Sequence, residues 1–257
     1  MKIGLFAAND VGSRIATFFG EQGEPPACLG IDVQDSGGLN SNIISDSGVI
    51  DSSLVFRSDL LSDPATLERL RELDLDLIVL AWWPYIVKRE LIEIPRLGCL
   101  NFHPSFLPYN RGKHYNFWAI VERAPFGVTL HWVENGVDCG DIAFQSLIET
   151  SWEDTGATLY YKAQEEIVRL FKEKLSEIKA GRIPRLPQDL ARGSFHLARE
   201  LEDASRIELD KTYTAAELLN LLRARTFPPH PAAWFEDEGR RYEVRIEIKK
   251  TNEGDQN

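Results

Sequence analysis

Leu75-Asp76-Leu77-Ile78-Val79-Leu80-Ala81-Trp82-Trp83 is a near-continuous apolar run. A strand with one wet face alternates polar and apolar residues, whereas a strand covered on both faces does not. The run therefore predicts a strand inside a parallel sheet. Just upstream, Asp63-Pro64-Ala65-Thr66-Leu67-Glu68 predicts a helix start, with Asp63 as N-cap and Pro64 at the first helical position. Downstream, a helix is expected around Ile86–Ile94 and a strand over Gly98–His103. Toward the N-terminus, Lys2–Ala8, Ala27–Val33 and Leu54–Arg57 read as strands. Val11–Gly20 reads as a helix with Ile15, Phe18 and Phe19 on one side and Gly20 past its end. Gln34–Ser53 is rich in Ser, Gly, Asn and Asp and predicts a long loop. The alternation of strand and helix predicts an α/β fold with a Rossmann-like, mostly parallel sheet flanked by helices.

The second half predicts a helix near Asn116–Glu122 and strands over Gly127–Val133 and Ile142–Ile148. Leu159, Tyr160, Ala163, Ile167, Leu170, Phe171, Leu175 and Ile178 recur at helical steps, and Gly181 ends that helix. Its opposite side carries Glu165, Glu166, Lys172, Glu173 and Lys174, a solvated face. After Arg182 the texture changes. Pro184, Pro187 and Gly193 suggest a link, Ala215–Arg225 a helix, Phe227–Pro231 a rigid stop and Arg241–Ile248 a strand. These make a small C-terminal α+β extension, so the expected division is a main α/β domain over 1–181 and a small subdomain over 182–257. The polar tail Thr251–Asn257 is expected to fray.

The chain has 257 residues, with Lys plus Arg 29 against Asp plus Glu 40, for a net charge of −11. Phosphate-backbone binding needs clustered positive charge, so this balance argues against a nucleic-acid partner gripped over a broad surface. It leaves room for a small phosphorylated ligand. Met1-Lys2-Ile3-Gly4-Leu5-Phe6-Ala7-Ala8 is too short for a signal h-region, and no apolar run approaches the ~20 residues of a membrane span. Cys28, Cys99 and Cys139 lack metal-ligand spacing and read as reduced thiols. A cytoplasmic protein without a membrane partner is expected.

Chemistry concentrates in Asn101-Phe102-His103-Pro104-Ser105-Phe106-Leu107-Pro108-Tyr109-Asn110-Arg111-Gly112. Residues two apart share a strand face, so Asn101 and His103 point together. Pro104 cannot continue the ladder. A carboxamide and an imidazole thus stand at the C-terminal end of a strand, where open α/β sheets bind ligands. A second segment, Val133-Glu134-Asn135-Gly136-Val137-Asp138-Cys139-Gly140-Asp141-Ile142, is a tight loop between two strands with two carboxylates, Asp138 and Asp141.

Together these segments closely resemble the folate-dependent formyltransferase family. Asn101-x-His103-Pro104-Ser105-x-Leu107-Pro108 with Arg111-Gly112 is similar to its central motif. Gly127-Val128-Thr129-Leu130-His131 and Asp138-x-Gly140 are similar to its second, and the separation 138 − 101 = 37 also fits. The resemblance covers Met1 to Gly181. Beyond it, Ile207-Glu208-Leu209 and Pro228-Pro229-x-Pro231-Ala232-Ala233-Trp234-Phe235 resemble the C-terminal portion of members acting on amino sugars or charged tRNA. The resemblance implies Asn101, His103 and Asp138 as the catalytic set and N10-formyltetrahydrofolate as co-substrate, with no metal. Asn101 and His103 would stabilise the oxyanion, and either His103 or Asp138 would be the base. His131 reads as a strand residue packing near the site. The resemblance places the pterin beside Trp82, Trp83, Tyr85 and Leu107, with part of the Asp138 loop.

For the acceptor, Lys113, His114, Tyr115 and Asn116 follow Arg111-Gly112 and look like the sugar-modifying branch. Asn9, Ser13 and Arg14 offer a phosphate site at a helix N-terminus. Phe195, Trp234 and Phe235 are candidates to stack a nucleotide base. Residues 182–257 show no basic excess for tRNA. The implied reaction is N-formylation of a nucleotide-linked amino sugar, a step toward cell-surface polysaccharide, by a homodimer. A methionyl-tRNA formyltransferase, a formyltetrahydrofolate hydrolase and a non-catalytic folate- or nucleotide-binding module are the alternatives.

Overall fold

The computed structural model describes residues 1–35 and 38–251, so the expected frayed tail beyond Thr251 lies outside the described residues. In chain order come β1 (Ile3–Ala7), α1 (Asn9–Glu21), β2 (Cys28–Ile31), α2 (Leu39–Asp46), β3 (Val55–Arg57), α3 (Pro64–Glu72), β4 (Leu77–Ala81), α4 (Arg89–Ile92) and β5 (Cys99–His103). There follow β6 (Arg111–Gly112), α5 (Tyr115–Val121), β7 (Gly127–Trp132), β8 (Ile142–Leu147) and α6 (Gly156–Lys179). The C-terminal part adds β9 (Phe195–His196), α7 (Glu200–Ala204), α8 (Ala215–Ala224), β10 (Ala233–Asp237) and β11 (Arg240–Val244).

Met1–His103, Thr129–Ser146 and Glu166–Gln188 form one compact unit. It carries the body of a seven-stranded sheet of order β3-β2-β1-β4-β5-β7-β8. The pairs from β3 to β5 are parallel, and β7 runs antiparallel to β5. Every residue of β1 and β4 is buried, as the unbroken apolar pattern predicts. The sheet is therefore Rossmann-like and mostly parallel. Asp63 caps α3 as expected, its carboxylate accepting the Thr66 N–H at 3.0 Å, with Pro64 in the first turn.

Three expectations in this unit are corrected. The segment 34–53 is not all loop, because it contains α2, whose Ile43 is fully buried. Gly20 lies inside α1 rather than past its end. A Cβ there would collide with the Asp46 carbonyl oxygen, so Gly20 is the point of close approach for α2. The helix expected over 86–94 shrinks to α4, since Ile86 is exposed and has nothing to pack an earlier turn against.

Pro104–Val128, Leu147–Glu165 and the chain from Asp189 onward form the second unit. Thr214 and Glu217 close a reciprocal capping box on α8. β10 and β11 pair antiparallel across Glu238-Gly239, both at positive φ, the geometry of a two-residue hairpin turn. The C-terminal piece is thus α+β. No helix among the described residues is long and apolar enough to cross a membrane.

Candidate active site

β5 ends the parallel part of the sheet, and its last residues alternate as expected. Phe102 is buried and meets Phe171 at 5.2 Å between ring centroids. Asn101 and His103 take the other face, opposite His131 and Thr129 of β7. Four side chains therefore converge within the first unit. His103 Nδ1 is 3.4 Å from Asp138 Oδ1, and His131 Nε2 is 3.6 Å from the same oxygen. Asn101 Nδ2 lies 3.1 Å from His131 Nε2, and His131 Nδ1 lies 2.9 Å from the Trp132 carbonyl oxygen.

The loop that delivers Asp138 is held by its backbone. Asp138 sits at φ 53°, a left-handed conformation that Asn and Asp tolerate better than most residues. The glycine of the Asp138-x-Gly140 motif has a steric cause. Any Cβ at Gly140 would collide with the Trp132 carbonyl oxygen, the acceptor that also serves His131. From the far end of the unit, Gln188 Nε2 donates to the Asp138 carbonyl at 3.1 Å and to the Gly140 carbonyl at 2.5 Å.

Chemically, this is a neutral amide donor and an imidazole–carboxylate pair, with the His103 and Asp138 side chains largely buried. His103 is 5 % exposed and His131 3 %. Such a set can hydrogen-bond a developing oxyanion and relay a proton. The two imidazoles and Asp138 also offer ligand atoms within 4.8 Å of one another, a geometry that could take a divalent cation. Cys28 and Cys99 are buried and their thiols are pushed up to about 12, so neither supplies a nucleophile at neutral pH.

The other expected site residues fall in varied settings. Trp83 is only 9 % exposed and packs with Phe6 at 5.4 Å, so its ring belongs to the core rather than to an open aromatic wall. Trp82 is half-buried at φ 58°. Tyr85 is 37 % exposed, and its hydroxyl donates to Asp32 at 2.5 Å. At the start of α1 no side chain caps the helix, and Asn9 adopts φ 57°. Ser13 lends its carbonyl to the Thr17 hydroxyl, and Arg14 leans to Asp10 at 3.6 Å.

In the second unit, Leu107 is buried and Lys113 is exposed. His114 is half-buried, and burial followed by repulsion from Arg225 and Lys113 holds its imidazole below the ordinary range. Tyr115 and Asn116, expected to offer groups to a ligand, both lie largely inside the fold. Tyr115 is 9 % exposed and stacks on Phe126, and Asn116 donates its amide to the Gly156 carbonyl at 2.8 Å. Both are polar in sequence and interior in the fold. Trp234 is also buried, between Arg206 and Arg241, and its indole N–H donates to the Glu202 carbonyl.

The sequence predicts only a packing role for His131, and the structure puts its ring against both Asn101 and Asp138. The signal was available: Thr129 and His131 are two apart on a strand, as Asn101 and His103 are. Gln188 carried no signal, because its partners are backbone carbonyls about fifty positions away.

Comparison with known proteins fits this arrangement. Methionyl-tRNA formyltransferase of Methylacidiphilum infernorum is 32% identical over 181 residues, 70% of this chain and 55% of that protein. The enzyme of the same name from Agathobacter rectalis is 29% identical over 74% of this chain and 60% of its own length. The chain thus spans about three fifths of the length of these curated relatives. Among solved structures, a 4-N formyltransferase from Francisella tularensis superposes with a TM-score of 0.79 at 23% identity, covering 97% of this chain and 98% of that one. A sugar N-formyltransferase from a Shewanella species gives 0.79 at 19% identity, covering 98% and 99%. The formyltransferase PseJ from Anoxybacillus kamchatkensis, solved with UDP-4,6-dideoxy-4-formamido-L-AltNAc and tetrahydrofolate, gives 0.58 at 24% identity over 79% and 89%. At these identities the superpositions establish the fold. The N-formyltransferase dimerization C-terminal domain model matches residues 200–250. The Formyl transferase family model matches residues 23–175, more than half of the chain and all four converging side chains, and the chain belongs to that family.

Proposed function

We propose that the protein transfers a formyl group from N10-formyltetrahydrofolate to the primary amine of a nucleotide-linked amino sugar. The observation that carries the transfer chemistry is the convergence of Asn101, His103 and Asp138 in one unit, with His103 Nδ1 3.4 Å from Asp138 Oδ1. The donor set fits the co-substrate, which supplies the formyl carbon when bound. The amine nitrogen bonds to that carbon and negative charge grows on the formyl oxygen. Asn101 N–H and a His103 N–H meet that charge, a term of roughly 3 kcal/mol per donor in comparable sites. The bond from carbon to the folate nitrogen then breaks. His103 or Asp138 takes the proton shed by the attacking amine, and a proton reaches the departing nitrogen.

Three further assignments belong to this reading. Trp82, Tyr85 and the Asp138 loop contact the folate. Lys113 and His114 contact the acceptor. Residues 1–181 carry the transfer chemistry, while 182–257 choose the acceptor or build a homodimer. Support for the dimer is the match of 200–250 to a dimerization domain. Support for a sugar acceptor is the superposition along nearly the whole length of a sugar N-formyltransferase and the net charge of −11, which disfavours a polyanion.

The curated relatives favour a second reading, methionyl-tRNA as acceptor. One assay separates the readings: N10-formyltetrahydrofolate with a panel of nucleotide-linked 3- and 4-amino sugars, with charged initiator tRNA, and with no acceptor. Folate turnover with a sugar alone supports the proposal. Turnover with tRNA alone replaces it, and turnover without acceptor makes the protein a hydrolase.

A further inference from the structure

We propose that His131 is a positioning residue that fixes the orientation of the Asn101 carboxamide. The two residues are directly opposed on the antiparallel β5–β7 pair, so their side chains share a face. His131 Nδ1 lies 2.9 Å from the Trp132 carbonyl oxygen. A carbonyl only accepts, so Nδ1 carries the hydrogen. Asn101 Nδ2, which can only donate, stands 3.1 Å from Nε2, so Nε2 is the acceptor. The Asp138 oxygen at 3.6 Å from Nε2 is beyond hydrogen-bond length and does not replace Asn101 as partner.

A carboxamide has two ends of similar shape and opposite polarity. Rotated by half a turn, Asn101 would present Oδ1, an acceptor, where an oxyanion needs a donor. Engaging one Nδ2 hydrogen with His131 fixes which end is nitrogen and sets the plane of the amide. The second hydrogen is then aimed from a fixed nitrogen. The chain of constraint runs from the Trp132 carbonyl through the His131 ring to Asn101. Its near end is packed against Gly140, where no side chain fits.

The role in catalysis rests on the formyl-transfer reading, but the hydrogen-bond assignment does not. His131→Leu removes both ring contacts. His131→Gln restores an acceptor near the position of Nε2, and His131→Asn restores only a donor near that of Nδ1. His131→Leu is expected to lower kcat by about 10- to 100-fold with KM for the folate within about threefold, less than the roughly 10²- to 10³-fold cost of losing an oxyanion donor outright, because Asn101 is still present. His131→Gln is expected to recover most of kcat and His131→Asn little. In an Asn101→Ala background, His131→Leu is expected to cost nothing further.

Rescue by Asn but not Gln, or an undiminished effect of His131→Leu without Asn101, overturns the proposal. If the leucine variant does not fold, the Gln and Asn pair decides. Nitrogen NMR of wild-type protein gives a readout free of activity. A pyridine-like Nε2 with an Asn101 amide hydrogen bonded to it supports the assignment, and a protonated Nε2 overturns it. Wild-type protein that turns over no formyl donor with any acceptor defeats the transfer reading, while the NMR result still decides the Asn101–His131 contact.

Discussion

His103 Nδ1 and Asp138 Oδ1 lie 3.4 Å apart with side chains only 6 % and 13 % exposed. A carboxylate beside an imidazole sets the tautomer and stabilises the imidazolium that forms when the ring takes a proton. Asp138→Asn is the sharp test, because Asn also tolerates the φ of 53° and keeps the loop in place. We expect kcat to fall by about 10²- to 10⁴-fold, as it does when a neutral amide replaces the aspartate partner of a catalytic histidine. Single-turnover rates with bound folate will show the loss, while folate affinity stays within a few fold. An undiminished single-turnover rate would remove Asp138 from the mechanism.

Gln188 binds the same loop from its backbone side, through the Asp138 and Gly140 carbonyls. Gln188→Ala frees that loop without touching a reacting atom. A small misplacement of a catalytic group costs rate steeply. The expected loss is about 10-fold in kcat with a melting temperature within a few degrees of wild type. Gln188→Glu, which turns a carboxylate toward two carbonyls, should be worse. Full activity in both variants would make the contact incidental.

Gly140→Ala tests the steric basis of the Asp-x-Gly motif. The added methyl meets the Trp132 carbonyl oxygen, a backbone atom that cannot rotate aside. Both the Asp138 loop and the His131 ring depend on that region. Activity should drop at least about 10-fold together with a lower melting temperature, because overpacking against backbone costs roughly 1–3 kcal/mol. A variant as stable and active as wild type would contradict the close approach.

The sheet and half of this site were legible in sequence, for identifiable reasons. Unbroken apolar runs such as Leu77–Ala81 announce a strand covered on both faces, and Pro104 marks where β5 must stop. Period-two alternation puts Asn101 with His103. It does not tell which strand lies beside β5, and the opposition of Asn101 and His131 depends on β7 returning antiparallel. That is a tertiary fact. α2 was hidden because Ser and Asn dominate its sequence, and Ile43 with the bare backbone of Gly20 supplies the packing that composition did not show. At Asn116 residue type alone was equally ambiguous. Polar side chains suggested a ligand, whereas Asn116 satisfies a carbonyl of its own fold.

His103, His131 and Asp138 invite comparison with a metal site, since their ligand atoms lie within 4.8 Å of one another. The donor set argues for a different use, because His131 Nε2 is already accepting the Asn101 amide. Incubation with a chelator should leave turnover unchanged. Added Zn²⁺ should inhibit by drawing both imidazoles away from their partners. Loss of activity on chelation, restored by one metal, would make the centre a metal site.

Asp154 gives the fold an acid-sensitive point away from the chemistry. Its side chain is 5 % exposed beside Lys162, whose ammonium lies 2.7 Å from Oδ1. Burial alone would raise its carboxyl. The hydrogen bonds from Lys162, the Ser151 N–H at 2.7 Å and the Thr158 hydroxyl at 3.0 Å outweigh burial and hold it below the ordinary range. A carboxyl whose folded pKa lies below its unfolded value stabilises the fold at pH above the unfolded value of ~3.9. That contribution is lost as pH falls through the folded value. Asp154→Asn should therefore destabilise by about 2 kcal/mol at pH 7, less than a fully buried pair because Lys162 is 42 % exposed. The gap between wild type and variant should narrow steadily below about pH 4, as wild-type Asp154 itself becomes neutral. Urea midpoints at pH 7, 4 and 3 will measure it, and a gap independent of pH would show that the charge of Asp154 is not what stabilises the fold.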